Sequence, residues 1–493
     1  MSFLNKSISG LIWNHFSKVA DFGLAYLLSI IVARMMGIHE YSVYVATMSI
    51  ASFMLLIVSG GFDEVLTKYV PYYTGLNKQG YIIYLVKVIF CLRLSILGIV
   101  SIVVYFTRIK ISIFFNNSNI VEYIFLILLY IIIQSLVNFF TNLLIAQYKT
   151  KKVFIINTIS RLLNIAFAII LLNKGYGLQE VLVQFIIVSF TTLLIYFLLS
   201  PRFISGKNEK FKLSHIFNFS YAMIINSILG IVLGKYTSIL LLNHHLGSSV
   251  EIAYFEIAYS LEVIIEYIFA LGFYGIGLSI TSELATHGVS KLKSARTLVI
   301  QYYQLFVFPL SIFCIVFAEE IITLLYSSQY KSVTSVFRTF LSINFLAVTL
   351  FARDFNATIL FSIGKERKVL LLRFLLGLLT VVTNYLFIPT YGAIGAIGIL
   401  GLSFLIITIF EYFMVSHHIG FGYDFLFAAK VIFVSIFSIL VVYIFSSFIH
   451  SVLIDSLLYL ILIIVGYFLL KIHFLYNNIS VYAYSNFLVQ MHK

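Results

Sequence analysis

Charged side chains are scarce in this chain. They fill 10% of 493 positions, where a soluble domain carries about 25%. So few charges cannot cover a surface that must stay in water. The only two cysteines, Cys91 and Cys314, both fall inside apolar runs, which excludes a disulfide framework and a thiolate metal site. Only four prolines interrupt the chain. Pro71, Pro201 and Pro389 stand at the ends of apolar runs, where a missing N–H costs least. Pro309 lies inside one, where neighbouring helices tolerate a kink. No GxxxxGK[ST] loop, HExxH pair or Gly-rich cofactor motif occurs, and no serine has a histidine and an acid at a catalytic spacing. Nucleotide hydrolysis through a phosphate loop is excluded, and no cofactor is expected. His244 and His245 are adjacent, so they cannot face one ion as i, i+4 residues would; with His15, His417 and His418 they make no metal site.

Apolar runs dominate instead. The chain is 61% hydrophobic, with a mean hydropathy of +1.05. Fourteen runs are long enough to cross about 30 Å of hydrocarbon. They cover roughly 9–33, 41–62, 81–106, 118–146, 153–172, 178–200, 215–242, 251–280, 297–318, 332–362, 369–388, 392–415, 425–449 and 452–473. The expected fold class is an all-α membrane protein of about 14 transmembrane helices. The first run leads straight into the second without a small-x-small site, so it reads as a span rather than a cleaved signal.

Net charge is +13, and its placement explains it better than nucleic acid would. With the N-terminus inside, eighteen Lys and Arg residues fall on the cytoplasmic side, Arg296 among them. Far fewer fall opposite, among them Arg34, Arg108, Lys110 and Lys174. That asymmetry predicts cytoplasmic N- and C-termini.

The chain also repeats itself. LIAQYKTKKVFIINTISRLLNIAFAIILLNKGYG (144–177) reads like LFSIGKERKVLLLRFLLGLLTVVTNYLFIPTYG (360–392): a basic turn, an apolar run with an Arg and an Asn, then a Tyr-Gly break. ARMMGIHEYSVYVATMSI (33–50) echoes LNHHLGSSVEIAYFEIAYSL (242–261), with Gly37 on Gly247 and Tyr44 on Tyr254. Two parallel repeats follow, because six spans per copy return the chain to the same side. The expected organisation is an N-lobe at 1–200, a cytoplasmic linker at 201–214, a C-lobe at 215–416, and spans 13 and 14 with a cytoplasmic tail at 417–493. The two six-helix lobes are pseudo-symmetric, and internal duplication in so apolar a chain points to a transporter.

Charges inside the spans are candidate functional residues, since each must face a cavity or a partner. Lys87, Arg373 and Lys430 lie near cytoplasmic ends and can snorkel. Arg93, Arg161, Arg338 and Arg353 lie deeper. Asn14, Lys18 and Asp21 share one face of span 1 at i, i+4, i+7. Lys18 and Asp21 either neutralise each other or line a cavity. Lys235 is the deep cation of span 7, the repeat partner of span 1, and Lys18 with Lys235 are candidate head-group cations of a shared cavity. Span 8 carries Glu251, Glu256, Glu262 and Glu266. Glu262 and Glu266, one turn apart, either exchange an ion or balance the cations above.

Residues 33–73, with an Arg-x-x-Gly turn and a terminal Lys-Tyr-x-Pro, resemble bacterial polysaccharide flippases. So do residues 359–398, with a Gly-Lys turn, Asn384 and Ile-Pro-x-Tyr-Gly-Ala-x-Gly-Ala, and YKSVTSVFRTF at 330–340. That family lies in the multidrug/oligosaccharidyl-lipid/polysaccharide exporter superfamily. The resemblance implies alternating-access transfer of an undecaprenyl-pyrophosphate-linked oligosaccharide, O-antigen or capsule, across the bacterial inner membrane. It implies a cationic interior for the head group, to which Lys18, Lys235, Arg161 and Arg353 are candidates; two of these are Lys, which cannot fork onto a phosphate. Asp21, Glu262 and Glu266 are the ion-coupling or charge-balancing candidates. The implied partners are the lipid-linked oligosaccharide, membrane lipids, a polysaccharide polymerase and a chain-length regulator. A cation-coupled multidrug exporter of the same superfamily is the runner-up, favoured by the span 8 acids. A membrane O-antigen polymerase is a third reading, weakened by short outer loops.

Overall fold

In hydrocarbon no water satisfies a free N–H or C=O, so a spanning chain must close its hydrogen bonds within itself. The computed structural model is helical accordingly. It describes residues 3–59, 61–114, 119–147, 149–200, 225, 229–230, 233–247, 249–270, 281, 284, 288–351, 353, 355–449 and 452–470. Among these there are sixteen α-helices, one 3₁₀ turn and no strand. In order they are α1 (Phe3–Met36), α2 (Ile38–Ser59), α3 (Phe62–Gly75), α4 (Gln79–Phe114), α5 (Asn119–Ala146), α6 (Thr150–Asn173), α7 (Leu178–Leu199) and α8 (Lys235–Leu246). Then follow α9 (Val250–Ala270), α10 (Val289–Val316), α11 (Ala318–Tyr326), α12 (Val333–Phe351), α13 (Phe355–Ser362), α14 (Glu366–Ile419), α15 (Phe425–Ile449) and α16 (Val452–Leu469).

Among the described residues, eleven helices are long and apolar enough to cross a membrane. The difference from fourteen has three sources. Span 7 (215–242) lies mostly outside the described residues. Span 8, now α9, carries four carboxylates in 21 residues. Spans 11 and 12 form one helical run, α14, of 54 residues. At 1.5 Å per residue that run measures about 81 Å, far more than the bilayer, and it does not stay straight. Gly392 breaks it with φ 54° and ψ −136°. Pro389, expected at a span end, lies three residues before the break and inside the run. The linker 201–214 and residues 471–493 lie outside the described residues.

The duplication read from the sequence has a backbone counterpart. Gly37 and Gly247, matched in the echo, both take positive φ (78° and 64°) where one helix hands over to the next. A side chain there would be strained. The Tyr-Gly breaks match as well. The backbone N–H of Ala393 donates to Glu251 Oε2 at 2.7 Å, so a carboxylate from the start of α9 caps the second half of α14. At the other break, a Cβ on Gly177 would lie 3.5 Å from Oε1 of Glu40, a residue at the start of α2. Gly392→Ala should be destabilising by about 2 kcal/mol. Its Cβ would lie 2.6 Å from Glu251 Oε2 in a backbone region reserved for glycine. A lowered melting temperature in detergent checks this; an unchanged one would show that the kink tolerates a side chain.

The helices gather into two compact units. The first comprises Met1–Glu256 and Gly377–Ala396, the second Ile257–Leu376 and Ile397–Lys493. In the first unit α3, α4 and α5 enclose a core containing Val65, Leu66, Leu85, Phe139 and Phe140. Arg93 is fully buried there. Its Nη2 meets Asp63 Oδ1 at 2.5 Å and its Nη1 donates to the Ser135 carbonyl at 2.9 Å. Along α1 and α6, Trp13 packs 5.5 Å from Phe154 with Lys151 Nζ 5.2 Å above its ring. In the second unit Arg296 is equally buried. It belongs to α10 and does not sit in a cytoplasmic loop, as its place among the inside charges implied. Arg373, expected to snorkel, reaches the buried Glu411 at 3.0 Å instead. Arg338 donates to the Ile315 and Val316 carbonyls, closing the C-terminal turn of α10.

Candidate substrate cavity

Helix α6 is apolar except along one stripe. Asn157, Ser160, Arg161 and Asn164 recur at i, i+3, i+4, i+7, which puts them on one face. On α5, Tyr130, Gln134, Asn138 and Thr141 make a second stripe; on α7, Ser189 and Thr192 make a third. In the first unit these stripes face one another, with Asp21 of α1 and Tyr44 of α2, around a cavity of about 180 Å³. That is ample room for several waters between largely apolar helices.

Neighbouring side chains hold the α6 amides in place. Gln184 Nε2 donates to Asn164 Oδ1 at 2.6 Å and the Tyr196 hydroxyl to Asn157 Oδ1 at 2.6 Å, while the Thr192 and Ser160 hydroxyls lie 3.0 Å apart. Each of the first two bonds occupies one acceptor on the stripe and leaves amide hydrogens for the cavity.

The charge at the centre is Arg161. Its Nε donates to Asp21 Oδ1 at 2.6 Å. The two side chains are 37% and 42% exposed, against 1% for Arg93, so this pair opens onto the cavity instead of filling a core. Among the described residues, Nη1 and Nη2 of Arg161 have no hydrogen-bond partner. A guanidinium held by Nε and open at its far edge can accept two oxygens of one anion.

A second ion pair stands in the same unit. Lys235 Nζ, at the start of α8, meets Glu256 Oε1 of α9 at 2.6 Å. Tyr44 lies within electrostatic reach of both Glu256 and Arg161, and Tyr130 within reach of Arg161, Asp21 and Tyr236. The Arg161–Asp21 pair lines the cavity, and the Lys235–Glu256 pair is not among the described residues that line it. Asp21 finds its cation on another helix, 140 residues away; Lys18 lies on α1, and its side chain is outside the described residues.

Arg353 and Glu262 belong to the second unit. They meet through Asn344: its Nδ2 donates to Glu262, and its Oδ1 accepts from Arg353 Nη1 at 2.9 Å. The Arg353 guanidinium also lies 3.9 Å over the Phe404 ring. Glu262 is buried; the side chain of Glu266 is outside the described residues. The sequence reading singled out Arg161 but passed over the amides and hydroxyls beside it. Polar residues at helical spacing within apolar spans were the available signal.

Residues 31–335, more than half of the chain, match the family described as polysaccharide biosynthesis protein. The chain belongs to this family. As a member of the polysaccharide biosynthesis family it has relatives of low identity and similar shape. It is 23% identical over 435 residues to an uncharacterized membrane protein of Methanocaldococcus jannaschii, MJ1068, covering 84% of this chain and 83% of that one. Its fold is similar to that of the lipid II flippase MurJ in an inward closed conformation: TM-score 0.71, 16% identity, 94% of this chain and 100% of that one. It is also similar to an inward-facing multidrug resistance transporter of the MATE family: TM-score 0.68, 16% identity, 82% of this chain and 94% of that one. This member of the polysaccharide biosynthesis family is a multi-pass membrane protein.

Proposed function

We propose that the protein is a flippase, not an enzyme. Its cargo is an undecaprenyl-pyrophosphate-linked oligosaccharide repeat unit, O-antigen or capsule. It carries the unit from the cytoplasmic to the outer leaflet of the bacterial inner membrane, both termini remaining cytoplasmic. Two lobes, residues 1–200 and 215–416, alternate access, while the lipid tail stays in the bilayer. A polysaccharide polymerase and a chain-length regulator receive the product.

The observation that carries this reading is the Arg161 guanidinium, part-exposed in a polar cavity, its Nη edge without a partner among the described residues. A diphosphate cannot cross hydrocarbon unaided, and a forked cation replaces its water with two charge-assisted hydrogen bonds. Lys235, paired with Glu256, is a second cation in the same unit. The family match and the flippase-like fold agree with this cargo.

In a deletion strain, Arg161→Ala at wild-type protein level should lower surface glycan at least about tenfold, the value of one charge-assisted contact. Undecaprenyl-linked oligosaccharide should accumulate. Arg161→Lys should recover part of the loss. Full surface glycan from Arg161→Ala would overturn the assignment of this cation. Drug resistance conferred on a pump-deficient host, with no glycan phenotype, would favour the multidrug reading.

A further inference from the structure

Three deep arginines are held in three different ways. Arg93 is sealed in a core by Asp63 and the Ser135 carbonyl. Arg296 is saturated by four oxygens from Asn356, Tyr412, Ser416 and Gly420. Among the described residues Arg161 has one hydrogen-bond partner, Asp21, and it lines a cavity. A bolt between helices would look like the first two.

Asp21 is the only carboxylate among the described residues that line the cavity. It takes Nε and so points the other edge of the guanidinium into the space. The ionisable groups that face it are Arg161 of α6, Tyr130 of α5 and Tyr196 of α7. Tyr44 of α2 stands beside Arg161, and Glu256 beyond it is already matched by Lys235. Nothing else described around the cavity offsets the negative charge of Asp21 or competes for Arg161.

A carrier must release what it binds. An isolated guanidinium in a low-dielectric wall would hold a diphosphate strongly. An anion docked on the Nη edge shares its cation with Asp21, and two negative charges on one guanidinium repel.

We infer that Asp21 is a positioning and release residue for the anionic head group: it aims Arg161 at the cavity and keeps the bound diphosphate weak enough to leave. This rests on the reading of Arg161 as the head-group cation. The ligand chemistry is a lipid pyrophosphate. A site that only bound the head group would gain from the aiming but not from the weakening, whereas a translocation site uses both.

The test uses the full chain in phosphatidylcholine nanodiscs, with undecaprenyl pyrophosphate and inorganic pyrophosphate as probes. Asp21→Asn should bind undecaprenyl pyrophosphate about tenfold more tightly, through slower dissociation, while surface glycan in cells falls. Asp21→Glu should stay within about threefold of the wild type. Asp21→Ser repeats the neutral test on a smaller side chain. Arg161→Ala should lose binding whatever stands at 21. If Arg161→Ala binds normally, the head-group reading fails. If it loses binding but both neutral Asp21 variants bind no tighter than the wild type, the release role fails and the reading stands. If neither neutral variant yields folded protein, Asp21 is structural and the inference is wrong. Inorganic pyrophosphate matching the lipid probe would reassign the ligand to free pyrophosphate and overturn the lipid part of the proposal.

Discussion

Arg93→Leu should remove most folded protein from the membrane, and adding Asp63→Asn should return a large part of it. The guanidinium is fully buried and the Asp63 side chain is 19% exposed, with 2.5 Å between them. Phe139 lies 5.6 Å from the guanidinium carbon, and the surrounding core offers no other cation to Asp63 among the described residues. Removing one partner of such a pair costs about 3–5 kcal/mol, because the other charge is left without water. That is a large share of the 5–15 kcal/mol of a typical domain. Removing both charges leaves an amide and a hydrocarbon side chain, which the site can hold at much lower cost. Monodisperse yield and melting temperature in mild detergent read the cycle. The expected pattern is a deep loss for the single variant and a shallow one for the double. Equal losses would mean that Arg93 acts through its packing and its bond to the Ser135 carbonyl, not through the ion pair.

Arg296→Met should cost about 3 kcal/mol and loosen the end of α14 first. The guanidinium donates to Tyr412 O at 2.9 Å, Ser416 Oγ at 3.0 Å, Asn356 Oδ1 at 3.1 Å and Gly420 O at 3.4 Å. It also lies 4.0 Å over the Tyr412 ring. Among the described residues no carboxylate pairs with it. Its compensation is instead a set of neutral oxygens at the C-terminal end of a long helix, where the helix dipole favours a cation. Methionine fills much of the volume but satisfies none of these oxygens, and bonds to a charged donor are worth about 1.5–3 kcal/mol. Hydrogen exchange should quicken at residues 412–420 before it does elsewhere in the second unit. Arg296→Lys should recover less than half, because one ammonium cannot span four divergent acceptors. Unchanged exchange at the α14 terminus would refute the clamp.

Periodic features were legible in the sequence, and partnerships were not. Long apolar runs set the helices, and Gly37 with Gly247 marked equivalent hand-overs because only glycine takes that backbone shape cheaply. The Tyr-Gly breaks at 176–177 and 391–392 both precede new helical segments, Gly392 with φ 54° and Gly177 in extended backbone. Helix α3 was missed: residues 62–75 followed an apolar run as polar, aromatic chain, and Pro71 suggested an end where a helix continues past it. Asp21 was weighed against Lys18 because they are three residues apart, yet Arg161 reaches it from a different helix. Spacing along a chain reports neighbours on one helix face and says nothing of which faces meet. Arg296 shows the same limit, since a basic residue beside Lys291 and Lys293 reads as a loop cation although the fold turns it inward.

The placing of Trp13 gives the protein an optical reporter of its own. It is the chain's single tryptophan, and it rests between α1 and α6 against Phe154 and Lys151. These are the two helices that carry Asp21 and Arg161. Any parting of them alters the ring's neighbours and hence its emission colour, so the wild-type protein can be followed spectroscopically without a dye, a tag or an added cysteine.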